Sequence, residues 1–101
     1  MKPYAHRRSE KDIIPFEVVR MVSSQTLEIK DMLYDLSKDF KPKIIMGQCL
    51  NNDDQHWTIT EYPEGLSFRI RYLKDRRWKD VHGNIYTLDD EPIRWHDFGR
   101  F

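Results

Sequence analysis

Apolar and polar residues alternate most regularly over residues 56–73, HWTITEYPEGLSFRIRYL, where two period-two runs flank a turn signal. Pro63 fixes the dihedral wanted at the first corner of a type I turn, and Gly65 can take the left-handed conformation that closes a three-residue loop. The pattern predicts a hairpin in which Tyr62 faces Leu66, Thr60 faces Phe68, Thr58 faces Ile70 and His56 faces Tyr72. Its other side carries Glu61 with Ser67, Ile59 with Arg69, and Trp57 with Arg71. One face is core, and the other mixes cations with indole and aliphatic surface.

Upstream, Ser23, Ser24, Gln25 and Thr26 offer hydroxyls to the first free amides of a helix. Leu27, Ile29, Leu33, Leu36 and Phe40 supply most of an apolar stripe, widened by Met32 and Tyr34, with Lys30, Asp31, Asp35 and Lys38 on the wet side. Glu28 and Asp31 come early, Lys38 and Lys41 late, and Pro42 ends the run, so the spacing predicts one main helix over about 24–40. Residues 13–22 are rich in β-branched side chains and opened by Pro15, which favours a strand, although Val18, Val19 and Val22 also fit a helix. Residues 43–50 read as a buried strand, 74–79 as a turn feeding a short strand, and His82, Gly83 and Asn84 as a second hairpin turn before a strand at 85–88. Trp95, Phe98 and Phe101 argue that the tail docks on the body. Residues 1–12 carry four basic and two acidic side chains with little to bury, which predicts a flexible basic arm. The expectation is an α+β fold: a single domain at 13–101 whose helix packs on an antiparallel meander of four to five strands.

Composition narrows the function classes. Seventeen basic and seventeen acidic residues cancel, which speaks against a general nucleic-acid coat. Cys49 is the only cysteine, so no internal disulfide forms and a reducing, cytoplasmic setting is expected. No apolar run approaches the roughly 20 residues that span a bilayer, so no membrane partner is expected.

Charge is unevenly spread. Six cations, Arg69, Arg71, Lys74, Arg76, Arg77 and Lys79, crowd one stretch against Asp75 and Asp80, whereas residues 51–65 hold Asp53, Asp54, Glu61 and Glu64 with no Lys or Arg. With Trp57 and Trp78 beside Arg69 and Arg71, such a face suits a protein interface, whose hot spots favour Trp and Arg. It also suits single-stranded nucleic acid, whose phosphates take cations and whose bases stack on indoles. The plain alternative is that carboxylates neutralise the arginines and the tail covers the indoles.

The string Asp80-Val81-His82-Gly83-Asn84 resembles the opening metal-binding motif of calcineurin-like metallophosphoesterases, in which an aspartate and a histidine ligate a dinuclear centre. That resemblance covers five residues and implies further Asp, Asn and His ligands over a far longer chain, whereas seventeen residues remain after Asn84. Gly83 and Asn84 read as turn formers. A single metal on Asp80, His82, His96 and Asp97 matches no closed ligand spacing, and no metal or cofactor is expected. A nuclease set of His56, Glu61, Arg69, Arg71 and Tyr72 would be split between the two faces of the predicted hairpin. Ser67 and Cys49 lack a nucleophile elbow, and four glycines build no phosphate loop.

The sequence therefore points to a non-enzymatic binding module, an inhibitor, adaptor or immunity-type factor of the kind carried by phages and mobile elements, monomeric or homodimeric. Its partner is expected to be a protein with an acidic or mixed surface, met by Trp57, Arg69, Arg71, Lys74, Arg76, Arg77, Trp78 and Lys79. Single-stranded RNA or DNA binding by the same face is the second expectation, and a small ribonuclease the third.

Overall fold

A computed structural model describes residues 2–99, and strand replaces helix almost throughout. In chain order it forms β1 (Tyr4–Arg8), β2 (Asp12–Ser23), β3 (Thr26–Leu36), β4 (Ile44–Ile45), β5 (Gln48–Cys49), β6 (Trp57–Glu61), β7 (Ser67–Tyr72), β8 (Trp78–Lys79), β9 (Ile85–Asp89) and β10 (Trp95–His96), with a 3-10 turn at Asn52–Asp54. Antiparallel pairing runs β2-β1-β9-β8-β7-β3, and β3 returns to β2, which closes a six-stranded barrel. Two further strands of the same sheet lie outside the ring, β10 against the start of β2 and β6 against the end of β3, while β4 and β5 pair only with each other. Ala5, Phe16, Leu27, Ile29, Ile70 and Tyr86 fill the interior. Phe16 meets Phe68 and Tyr86 edge-on at 5.4 and 5.6 Å, a favoured packing of ring quadrupoles.

The expected α+β architecture and its helix over 24–40 are therefore wrong. Residues 24–25 are the turn of the β2–β3 hairpin, and the supposed helix is β3. β3 buries Leu27 and Ile29 towards the barrel, then Met32, with Tyr34 and Leu36 half-buried on the opposite side. That change of face inserts one three-residue step into a period of two, and the resulting spacing overlaps a helical stripe. It falls at Asp31, where β3 stops pairing with β2.

The second correction concerns the hairpin over 56–73. β6 and β7 do not pair with each other; β6 pairs with β3 residues 32–36 and β7 with residues 26–30. They are two halves of one line, interrupted by residues 62–66, which bulge out opposite Asp31. The Gly65 N–H donates to the Tyr62 carbonyl at 2.9 Å, and the Asp31 N–H donates to the Leu66 carbonyl at 3.1 Å. The turn chemistry is present, but the chain resumes its direction instead of reversing. A Cβ at Gly65 would lie 3.0 Å from the Asp31 carbonyl oxygen, so close approach favours glycine there, not a left-handed dihedral.

Two further expectations change. Within the predicted arm, Tyr4–Arg8 forms β1, held between β2 and β9, with Ala5 and His6 fully buried. Residues 43–50 form a projecting β4–β5 finger, not a buried strand. Its tip is Met46-Gly47, both left-handed at φ 54 and 77°, and Met46 is 97% exposed.

The expected docking of the tail is seen for Trp95 and Phe98, while Phe101 lies outside the described residues. Strand alternation turns His6 and Pro15 away from the barrel interior, and the tail crosses above them. Arg94 donates to Asp12 at 2.8 Å and lies 4.7 and 4.9 Å from the ring centres of Tyr34 and Trp57. Gln55 joins the loop to the tail by exchanging hydrogen bonds with His96 main chain, and it accepts from the Trp57 indole at 2.7 Å.

Candidate functional site

The decisive local event is an early turn. β8 contributes two residues and pairs with β7 only at Arg71↔Lys79 and Tyr72↔Trp78. Had it continued, Asp80 and Val81 would have lain beside Ile70 and Arg69. Instead Asp80 turns the chain: its Oδ1 accepts the main-chain N–H groups of His82 and Asn84, and its Oδ2 accepts the Asn84 amide and the Tyr86 hydroxyl. Gly83 supplies the left-handed φ of 83° that the turn needs. Burial alone would raise the Asp80 carboxyl, but these hydrogen bonds outweigh it and hold it below the ordinary range. Burial, and then the bond to Asp80, push the Tyr86 hydroxyl well up. With both oxygens doubly engaged, Asp80 is a loop-forming residue.

This turn opens a seam in the barrel wall. The Tyr72 N–H and the Leu66 carbonyl are spent on the β3 side, and the Leu73 N–H on the β8 side. Main-chain groups alternate in direction along a strand, so Ser67 and Arg69 aim theirs at the seam, where they find no main-chain partner among the described residues. Beside this edge lies a cleft of about 690 Å³ lined by Arg7, Phe68, Arg69, Arg71, Leu73, Lys79, Asp80, Val81, His82 and Asn84.

Most of the expected cations gather at this end. Arg69 and Arg71 are exposed and have no ion-pair partner among the described residues. Glu28, directly across from Arg69, is engaged with Arg20 at 3.4 Å. Lys79 pairs with Asp75 at 2.9 Å. Lys74, Arg76 and Arg77 sit exposed on the β7–β8 loop, with Arg76 in the left-handed region at φ 64°.

The tryptophans do not join them. Trp78 packs against the core and the Tyr72 ring at 5.3 Å. Trp57 is opposite Leu36, whereas Arg71 is opposite Thr26, about 30 Å away at roughly 3.3 Å per residue, and Arg94 covers its ring. The continuous indole–arginine face is thus replaced by a cationic cleft at one pole and a covered indole at the other.

Other expected constellations are dispersed. His56 precedes β6 and Glu61 ends it, while Arg69, Arg71 and Tyr72 lie on β7 beyond the 62–66 bulge. Asp80 and His82 belong to the seam, and His96 and Asp97 to the tail, where His96 Nδ1 lies 2.7 Å from Asp12. Arg7, which the sequence offers with His6 and Arg8 as a contact for nucleic acid or an acidic partner from a flexible arm, belongs instead to β1. It lines the cleft on the same strand face as buried Ala5, and its guanidinium lies 5.5 Å from the Phe16 ring centre.

Compared with known families, curated proteins and solved structures, the chain matches none. No helix among the described residues is long and apolar enough to cross a membrane.

Proposed function

We propose that this chain is a non-enzymatic module that captures an acidic segment of another protein in the seam cleft, as an inhibitor, adaptor or immunity-type factor would. The observation that carries this reading is the pair Arg69 and Arg71, exposed beside the cleft and free of ion-pair partners among the described residues. Free surface cations add little to folding, so their value lies in what they meet. Leu73 and Val81 add exposed apolar surface to the rim, which suits a segment that alternates acidic and apolar side chains. The cancelling net charge favours a local protein contact over tracking along a nucleic-acid backbone. The unpaired Cys49 suits work in the cytoplasm.

A capped fluorescent peptide of alternating glutamate and valine, titrated at low and high salt, tests this. Binding is expected at low salt, with loss of about tenfold or more in the Arg69→Glu/Arg71→Glu double variant and a melting temperature close to that of the parent. Absence of peptide binding at low salt defeats the proposal. Preferential capture of a single-stranded oligonucleotide, with a steep salt slope, moves the site to nucleic acid instead.

A further inference from the structure

We infer that the acidic segment binds by adding a strand to the open edge of β7, filling the place that β8 vacates when Asp80 turns the chain. This rests on the proposed capture of an acidic segment and specifies how it is held. Three features on one stretch of β7 converge. The main-chain groups of Ser67 and Arg69 point into the seam without main-chain partners among the described residues, so they can pair with an extended chain. An unpaired strand edge is a template for added strands unless something covers it, and no strand among the described residues flanks residues 67–70 on this side. The cleft beside the edge provides the volume the added strand needs.

Side-chain alternation then fixes the chemistry of the occupant. Arg69 points outward with Arg71, whereas Phe68 and Ile70 face the interior. A strand laid antiparallel on β7 would continue the line of β8, placing one residue beside Arg69 and its neighbours beside Phe68 and Ile70. The outward position calls for Glu or Asp, and the inward positions call for apolar side chains that seal the barrel wall. Arg7, lining the same cleft, offers a further cation to an acidic group that enters deeply. A second copy of this chain does not meet the requirement, because the outward positions of its own edge, Ser67, Arg69 and Arg71, offer Arg69 no carboxylate.

Two singly patterned N-methyl versions of the glutamate–valine peptide test the mode of binding. In an extended chain alternate amides point to opposite sides, so methylation of one set blocks pairing with β7 while methylation of the other leaves it intact. One version is expected to lose about tenfold or more in affinity and the other to bind like the parent. Hydrogen exchange at the Ser67 and Arg69 amides is expected to slow when the parent peptide is added. Equal binding by both methylated versions, with unchanged exchange at those amides, overturns strand addition but leaves charge-based capture standing. Failure of the unmodified peptide to bind defeats the underlying function as well. A Ser67→Pro variant, which removes one seam-facing N–H at an edge position that tolerates proline, should lower affinity for the parent peptide but not its sensitivity to Arg69→Glu.

Discussion

The two flanks of the barrel use arginine in opposite ways. On the tail side, Arg94 is almost enclosed: it pairs with Asp12, donates to the carbonyls of Ile13 and Trp95, and packs over Tyr34 and Trp57. On the seam side, Arg69 and Arg71 stand in solvent without ion-pair partners among the described residues. A guanidinium supplied with rings, carbonyls and a carboxylate holds loop and tail together, because removing it would strand all of them. A guanidinium without partners holds nothing in the isolated chain. The contrast separates cations that build this protein from cations available to another molecule.

Arg94→Ala should produce the largest effect, a loss of about 2–4 kcal/mol and a melting temperature lower by roughly 10–20 °C. Arg94→Lys should recover only part of this, since an ammonium could donate to Asp12 and the two carbonyls, which one guanidinium nitrogen serves here, but has no planar group to lie over the Tyr34 and Trp57 rings. Trp57→Ala removes the ring and the indole donor to Gln55, with an expected cost of about 2–3 kcal/mol. In both variants amide exchange at Gln55 and His96 should speed up more than at Ile70 in the barrel interior. Equal acceleration at all three sites would mean that tail and barrel form one cooperative unit and the flanks do not differ in this way.

Protonation sharpens the comparison. His6 is fully buried, and its Nε2 accepts the Ile93 N–H at 2.8 Å, so Nδ1 carries the proton and donates to Asp89 at 2.7 Å. Burial lowers its pKa below 6.5, outweighing the opposing pull of Asp89. The unfolded chain therefore takes up this proton first: the stabilisation is complete above pH 6.5 and is lost as pH falls through the lowered folded value. Asp12 follows in stronger acid. Burial would raise it, but hydrogen bonds from Arg94 and His96 hold it down, so its contribution is present above pH 3.8 and disappears below. Tyr86, at the seam, is shifted upward, so its contribution is present below pH 10.0 and lost in stronger alkali. Mild acid should therefore loosen the tail flank first, seen as faster exchange at the Ile93 amide after correction for intrinsic rates, while the Ile70 amide stays protected.

What could be read from the sequence divides along physical lines. The seam turn was legible because Gly83 and Asn84 act through local dihedrals, and the short strand before it was legible from its flanking turns. β3 was not, because its buried side changes at Asp31 in response to partners on other strands, and a one-dimensional pattern records only the altered spacing. The role of residues 62–66 failed for a related reason: a turn and a bulge share residue types, and only the pairing of β6 and β7 with β3 distinguishes them. Of the contact set, Arg69, Arg71 and Lys79 reach the cleft through simple alternation on β7 and pairing with β8. Trp57 and Trp78 do not, since their positions depend on Arg94 and on the core rings.

The smallest expected effect is the one that bears most directly on function. Arg69→Gln keeps a long polar side chain on the strand and removes only the charge, and Arg71→Gln does the same two positions away. Neither residue has an ion pair to lose among the described residues, so each change should alter stability by no more than about 0.5 kcal/mol. Against that small background, loss of glutamate–valine peptide binding would have to come from the missing charge. A fall of several kcal/mol in either variant would instead show that the seam arginines, like Arg94, are holding the fold, and the distinction between the two flanks would collapse.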